Sequence, residues 1–432
     1  MAMVVKNNMS ALSTLNTLNK NTKALSKSLQ KVSSGMKINS AADDASGYAI
    51  SERMRVQIRS LDQANSNAQN GGSMMKVAEG AVSSTVEILK TLKEKAVNAA
   101  NDTNTDADRQ TIQKELDQSI DQINDNANVT FNGQYLVDGS KNSKTTVTCT
   151  AMTNQSLSTA TKSSTALTAL AARNGDSLNI RETDKVTVSW VKDGKTYSSS
   201  MEIKASTKLG DALKLCSDID VKAEANSFIA LDGSKNSVYT ASGESGVTIS
   251  AKGTGINGQI SGFTISITDN TGAVRKSANA ALDAFDETLR AQNVSEDNSV
   301  NLQIGTKANQ TIKVGLTDMK AQALGLQGKD NSTLQVGNQE QANAAINVLD
   351  SAIQKALDQQ TTIGAVQSRL EYTQSNLTTA SENVTAAEST IRDADMAKEM
   401  TEYTKNNVLM QAAQSMLAQA NQSSSNVLSL LQ

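Results

Sequence analysis

In 432 residues there is not one proline, where average usage of about 5% would place roughly 20. A proline inside a helix removes a backbone hydrogen bond and clashes with the preceding turn, at a cost of about 3 kcal/mol. Its absence permits long uninterrupted helices, and the apolar residues are spaced to form them. Leu18, Leu25, Leu29, Val32 and Met36 alternate by threes and fours, with Thr22 filling one slot. Met54, Ile58 and Leu61 continue the spacing, followed by Val82, Val86, Leu89 and Val97, and then by Ile112, Leu116, Ile120 and Ile123. The far end has the same spacing in Ile346, Leu349, Ile353 and Leu357, then Val384, Ala387, Ile391 and Ala394, then Leu409, Ala413, Met416, Ala420, Val427 and Leu430. This periodicity predicts amphipathic helices at both ends. The outermost stripes are narrow, nearer to a coiled-coil seam than to the broad face of a globular helix. A seam of that kind needs another helix, either the opposite terminus or a neighbouring molecule.

The middle, about 140 to 300, reads differently. "DKVTVSWVKDGKTYSSSMEI" alternates Val186, Val188 and Trp190, turns at Lys-Asp-Gly-Lys, and alternates again, which predicts a hairpin. "SGVTISAKG" and "GFTISITDNTGAV" predict further strands, and "KLGDALKLCSDI" a short helix. Residues 141 to 170 are dense in Ser and Thr and predict a surface loop, a candidate for O-linked glycans on an exported chain. The expected fold is mostly α: long N- and C-terminal helices pairing as a coiled coil or helical bundle, around a β-rich inserted central domain.

Several functions are excluded by what is missing. With no histidine, Ser-His-Asp and Cys-His catalysis and HExxH zinc chemistry have no base or ligand. No catalytic, metal or cofactor site is therefore expected. Charge is nearly balanced at −3, which argues against nucleic acid or an anionic membrane surface as partner. No run approaches 18 apolar residues, so no membrane insertion is expected. "MAMVVKNNMSALSTLNTLNK" lacks the apolar core of a Sec signal. The expectation is a cytoplasmic protein or one exported by another route. Cys149 and Cys216 show no CxxC spacing and are expected as unpaired thiols, one disulfide being the alternative.

Two acidic stretches need weighing. In "SSGMKINSAADDASGYAISERMR", Asp43 and Asp44 could serve acid–base or metal chemistry. The simpler reading is that Ser40 caps a helix with both acids in its first turn, where negative charge suits the helix dipole. Neighbours on a helix point about 100° apart, so the two carboxylates would not converge. In "RDADMAKEM", Asp393, Asp395 and Glu399 read as a solvated helix face that also bears Arg392 and Lys398. Gly253 and Gly255 lie between strands, so they do not form a phosphate loop.

The segment "VSSGMKINSAADDASGYAISERM" strongly resembles the N-terminal signature of bacterial flagellins, and residues 79 to 139, with "FNG" after the helix, continue the resemblance. "LQIGTKANQTIKVGLTDMKAQALGL" is similar to the strand segment that precedes the family's C-terminal helices, and "IRDADMAKEMTEYTKNNVLMQAAQSMLAQANQSSSNVLSLLQ" to its C-terminus. The resemblance implies a structural subunit that self-polymerises into the extracellular flagellar filament for motility. It implies secretion by the flagellum's type III export route, and terminal segments that order into a paired coiled coil on assembly. Residues 1–40 plus 391–432 would form that inner-tube coiled coil, 41–140 plus 300–390 a helical bundle with a β-hairpin, and 141–299 a variable surface domain.

The self-assembly seams would be Leu18, Leu25, Leu29 and Val32 with Leu409, Met416, Val427 and Leu430. Ser40, Asp43 and Asp44 would start a helix and offer intersubunit contacts. Implied partners are further copies in a homopolymer, an export chaperone at the C-terminal helix, filament cap and hook-junction proteins, and Toll-like receptor 5. For that receptor Leu89, Glu94 and Glu115 match the family pattern. Thr91 replaces the usual arginine and Lys95 the usual leucine, which predicts weakened activation. The alternatives are a hook–filament junction protein, whose family matches the C-terminal signature less well, and a flagellin whose insert is an adhesin or an enzyme. The known metalloprotease version of the last needs HExxH.

Overall fold

The computed structural model describes residues 8–429 apart from 227, 232–234, 241, 242 and 244. About half the chain is helical. It opens with α1 (Met9–Ser34), α2 (Ala45–Ala99) and α3 (Asp106–Ala127). At 1.5 Å per residue the 55 residues of α2 extend about 80 Å. A short hairpin follows, β1 (Thr130–Phe131) with β2 (Gln134–Tyr135). The insert contributes β3 (Ala151–Asn154), β4 (Lys185–Lys192), β5 (Lys195–Glu202), α4 (Leu209–Leu213), β6 (Ile219–Asn226), β7 (Phe228–Leu231), β8 (Ser237–Tyr239), β9 (Gly246–Ala251), β10 (Ile260–Thr268), α5 (Lys276–Leu282) and β11 (Phe285–Leu289). The chain returns through β12 (Val300–Gln303) and β13 (Thr311–Val314), then α6 (Gln339–Arg392) and α7 (Met396–Ser429).

Two compact units divide the chain. One holds residues up to 68, 303–310 and from 372 onward; the other holds 69–302 and 311–371. The division falls inside α2 and α6, and it places the insert in the same unit as the inner lengths of those helices. The expected boundaries at 40, 140, 300 and 390 therefore do not coincide with the contact division.

In the second unit the helical part is closed by large aliphatic side chains. Met75, Val82, Leu89 and Leu92 of α2, and Leu116, Ile120 and Ile123 of α3, are fully buried, as are Val348, Leu349 and Ile363 of α6. Residues 315–336 have no regular structure but are pinned along α3: Gln113 donates to the Leu334 carbonyl at 2.9 Å and accepts from the Val336 amide at 2.8 Å. α3 itself starts on a capping box between Thr105 and Asp108.

The insert carries two larger antiparallel sheets, β10-β4-β5 and β11-β3-β9-β6, and a two-stranded one, β7-β8. The expected hairpin is present with Lys192 facing Lys195. Asp193 (φ 50°) and Gly194 (φ 71°) make its two-residue turn. One core unites the two larger sheets with α4 and α5, including Trp190, Phe263, Ile265, Ile267 and Leu282. Phe263 meets Phe285 edge to face at 5.2 Å. Strand β10 lies so close to α6 that a side chain at Gly262 would come within 2.6 Å of Val348, so this position requires glycine. Cys216 is buried and Cys149 half-buried, and both are free thiols; burial pushes the Cys216 thiol up to about 12.

The Ser/Thr-dense segment 141–170 is only in part the surface loop expected from its polarity. Its strand β3 is interior to its sheet and buried throughout. Thr is β-branched and suits a pleated surface, and the Thr153 hydroxyl bonds across the sheet. Thr153 pairs with Thr248 at 3.1 Å, and Thr288 donates to Thr153 at 2.9 Å. Thr148 and Thr150 are buried as well, which removes them as glycan sites.

Candidate assembly face

The terminal helices pair with each other. α1 starts at Asn8, whose side chain accepts from the Ala11 amide at 3.0 Å, and ends at Gly35 in the left-handed conformation (φ 71°). Along α1, Ala11, Thr14, Leu18, Asn21, Leu25, Ser28 and Val32 form a shielded three–four alternation, with Ala24 and Lys31 shielded beside it. On α7 they include Glu399, Asn406, Met410, Ala413, Leu417 and Ala420. Polar contacts between the two helices run antiparallel: Asn8 to the Ala420 carbonyl at 3.1 Å, Asn21 to the Leu409 carbonyl at 3.2 Å, Asn406 to Ser28 at 3.1 Å, and Lys31 to Glu399 at 3.0 Å. Polar residues in a seam fix register at a cost in stability. The only residue of α1 that is fully buried is Ser28.

The apolar residues divide between this seam and the outside. Leu18, Leu25 and Val32 are half-buried within it. Leu29 is 52% exposed, Leu409 43% and Met416 62%, so these three expected seam residues face away from the α1–α7 contact. Leu430 lies outside the described residues, as does the side chain of Val427. Met9, Leu12 and Leu15 of α1 and Met396, Met400 and Val408 of α7 are exposed too. The helix pair thus has an internal seam that mixes polar with apolar residues, and further apolar side chains exposed outside it.

Beside this pair sits the junction from α1 to α2. Lys37 donates to the Arg392 carbonyl at 2.7 Å and Ala394 to the Gly35 carbonyl at 2.9 Å, clipping the end of α1 to the α6–α7 break. Ser40 does not cap α2. The helix begins at Ala45, and Asp44 caps it by accepting from the Ser46 amide at 3.1 Å. Asp43 lies before the helix, where it accepts from the Asn39 and Ser40 amides at 3.2 Å and pairs with Lys27 at 2.9 Å. The Lys27 bond, helped by those amides, holds the Asp43 carboxyl down to about 2 against the opposing effect of burial. The four residues of turn at 40–43 shift the start of α2 beyond both acids. Their two carboxylates serve separate partners.

Arg392 is likewise no part of a solvated face. It is 5% exposed and pairs with Glu52 at 2.6 Å, donates to the Met36 sulfur at 3.2 Å, and lies 5.5 Å from the Tyr48 ring centre. Its guanidinium bond holds the Glu52 carboxyl below the usual range. Asp395 caps α7 through the Ala397 and Lys398 amides. Charge alone hides this node, because an arginine in an acidic run reads as exposed until the break in α6 turns it inward.

Of the receptor candidates, Leu89 is fully buried and so is unavailable to a partner. Glu94, Glu115 and Thr91 are exposed. Lys95 pairs with Glu115 at 2.9 Å, and Thr91 returns its hydroxyl to the Glu87 carbonyl at 3.1 Å. The two departures from the family pattern therefore lie on the same face as the matching acids. Among the described residues, no group of three or more Cys, Asp or Glu could hold a metal ion, and no helix is long and apolar enough to cross a membrane.

Residues 5–142 match the bacterial flagellin N-terminal helical region, and residues 346–431 the bacterial flagellin C-terminal helical region. Flagellin of Clostridium tyrobutyricum is 37% identical over 97% of this chain and 99% of its own length. Flagellin of Bacillus subtilis is 31% identical over 99% and 100%. The flagellar filament 33 kDa core protein of Treponema phagedenis is 30% identical over 99% and 100%. The hook-associated protein-3 structure from Legionella pneumophila covers 78% of this chain and 97% of its own at 14% identity, with a TM-score of 0.33, too low to favour a junction protein. The chain belongs to the bacterial flagellin family and is a non-enzymatic structural subunit of the flagellar filament.

Proposed function

We propose that copies of this subunit polymerise through the outward apolar rows of α1 and α7, each helix pair using its partly polar seam for internal register and its exposed rows for its neighbours. The observation that carries the reading is the exposure of Leu29, Leu409 and Met416, beside Leu12, Leu15 and Val408, on two helices already paired with each other. A leucine or methionine taken fully out of water contributes about 1.5–3 kcal/mol. Repeated at every lattice contact, several such residues supply a favourable term to set against the entropy of association. Asp43 and Ser40, at the junction, would lie at the border of such contacts.

The same rows suit an export chaperone, which would cover α7 before assembly; a shallow apolar groove between Met400 and Leu409 offers the place. Secretion by the flagellar export route and an extracellular filament follow from this reading, as do cap and hook-junction proteins at its two ends. Toll-like receptor 5 would meet Glu94 and Glu115 without the arginine and leucine of the family pattern, so activation would be weak.

The test is seeded elongation of a triple variant, Leu29→Ser/Leu409→Ser/Met416→Ser, followed by electron microscopy. Elongation should fall at least about tenfold, while the thermal transition of the monomer hardly moves because the residues are exposed. Filaments growing at the unmodified rate would sink the proposed face.

A further inference from the structure

Methionine is distributed unevenly over this surface. Met74, Met75, Met152 and Met319 are buried, and Met36, Met54, Met201 and Met410 half-buried. Among the described residues the exposed methionines are Met9, at 69%, Met396 at 43%, Met400 at 45% and Met416 at 62%. All four lie on α1 and α7, on the outward apolar rows proposed above as the assembly face. Neither cysteine of the chain is there: Cys149 and Cys216 belong to the insert.

We propose that Met9, Met396, Met400 and Met416 form a peroxide-sensitive modification site that controls whether an unassembled subunit can join a filament; the proposal rests on the assembly face described above. The co-reactant is hydrogen peroxide. A thioether lone pair attacks one peroxide oxygen, the O–O bond breaks, and a sulfur–oxygen bond forms. The departing hydroxide takes up the remaining proton as water. The sulfur loses two electrons and the peroxide gains them, so the exchange is complete with no further reagent. Susceptibility follows exposure, and the sulfoxide is polar and chiral where the thioether was flexible and apolar. Four such groups on one helix pair place oxygen dipoles where a neighbouring copy would need apolar contact. An assembled subunit has the same sulfurs covered, so the sensitivity belongs to the free chain. The lesion is reversible, because sulfoxide reductases of the two epimer specificities restore the thioether.

The experiment treats full-length monomer and preformed filaments with hydrogen peroxide, maps oxygen uptake by peptide mass spectrometry, and measures seeded elongation of the treated monomer. In the monomer, uptake at the four exposed sulfurs should run at least about tenfold faster than at Met75 and Met319. Elongation of the oxidised monomer should fall about tenfold, and a pair of sulfoxide reductases should restore it. The quadruple variant Met9→Leu/Met396→Leu/Met400→Leu/Met416→Leu keeps an apolar face without sulfur; whatever its own starting rate, that rate should be the same with and without peroxide. Oxidised monomer that elongates at the unmodified rate, or a quadruple variant as sensitive as the parent, overturns the proposal even where filaments protect the four sulfurs. Equal uptake in monomer and filament overturns the assembly face on which it rests.

Discussion

The terminal helix pair and the inserted domain bury themselves in opposite ways. In the 26 residues of α1 only Ser28 is fully buried, and α7 adds Ala413. The insert gathers Phe263, Trp190, Ile203, Leu209, Leu213 and their neighbours into one closed core. Polar residues also pair inside it, as in the bidentate pair of Arg275 with the buried Asp184 at 2.9 and 3.0 Å. The insert completes its burial within one chain. The helix pair leaves many of its apolar side chains outside. On the assembly reading proposed above, stability belongs to the insert and assembly to the helix pair, and each should be open to perturbation without the other.

The hardest test of that division is removal of residues 1–30. Filament formation should be lost entirely under electron microscopy, while the thermal transition of the insert persists; a truncated chain that polymerises would collapse the contrast. Next in size, Phe263→Ala opens a cavity in a fully buried site and should lower the insert's unfolding free energy by about 3–5 kcal/mol, read by denaturant titration. Monomers that remain folded should still elongate seeds.

The two regions should also respond to acid with opposite sign. Burial of Asp283 pushes its carboxyl up to about 6, with the Ile265 amide and Asn347 opposing. Its protonated form is the one the fold favours. That contribution is fully present below the unfolded value near 3.8 and is lost as pH rises through about 6. Between pH 4 and 7 this amounts to on the order of 2 kcal/mol, and Asp283→Asn should flatten it in a series of melting curves. Asp43, held down to about 2, behaves in reverse: its contribution is present above 3.8 and lost as pH falls through about 2. With Lys27 half in solvent, screening leaves about 1 kcal/mol, and Asp43→Asn should remove it. A terminal junction that strengthened on acidification would contradict the geometry around Asp43.

Much of this is legible in the amino-acid order. The lack of proline and the aliphatic periodicity locate the helices, and Asp193-Gly194 locates a hairpin because few residue pairs tolerate two positive φ angles. The inward face of α1 is harder to read. Leu29 stands next to Ser28 in sequence and about 100° round the helix, and counting apolar residues alone selects the leucine. The structure selects the serine, because Asn406 bonds to it. The same counting does not say whether Leu409 and Met416 face the opposite terminus or a neighbouring molecule; the structure shields Met410, Ala413 and Leu417 and leaves those two exposed. Thr153 reads as surface because its hydroxyl counts as polar, although a threonine ladder can satisfy it inside a sheet. Leu89 matches a family pattern by position, but it also stands in the apolar row with Val82 and Val86, and the structure buries that row.

The antiparallel pairing of α1 with α7 also sets a timetable. Asn8 bonds to a carbonyl 412 residues later. At a synthesis rate of about 5–20 residues per second, α1 leaves the ribosome roughly 20 to 80 seconds before its partner exists. Through that interval it is an unaccompanied amphiphile in a crowded compartment. A strongly apolar inner seam would seek any other hydrophobic surface while it waited. Threonine, asparagine and serine at every second position interrupt the apolar run of that inner face, and they still give it a register to find once the last helix arrives.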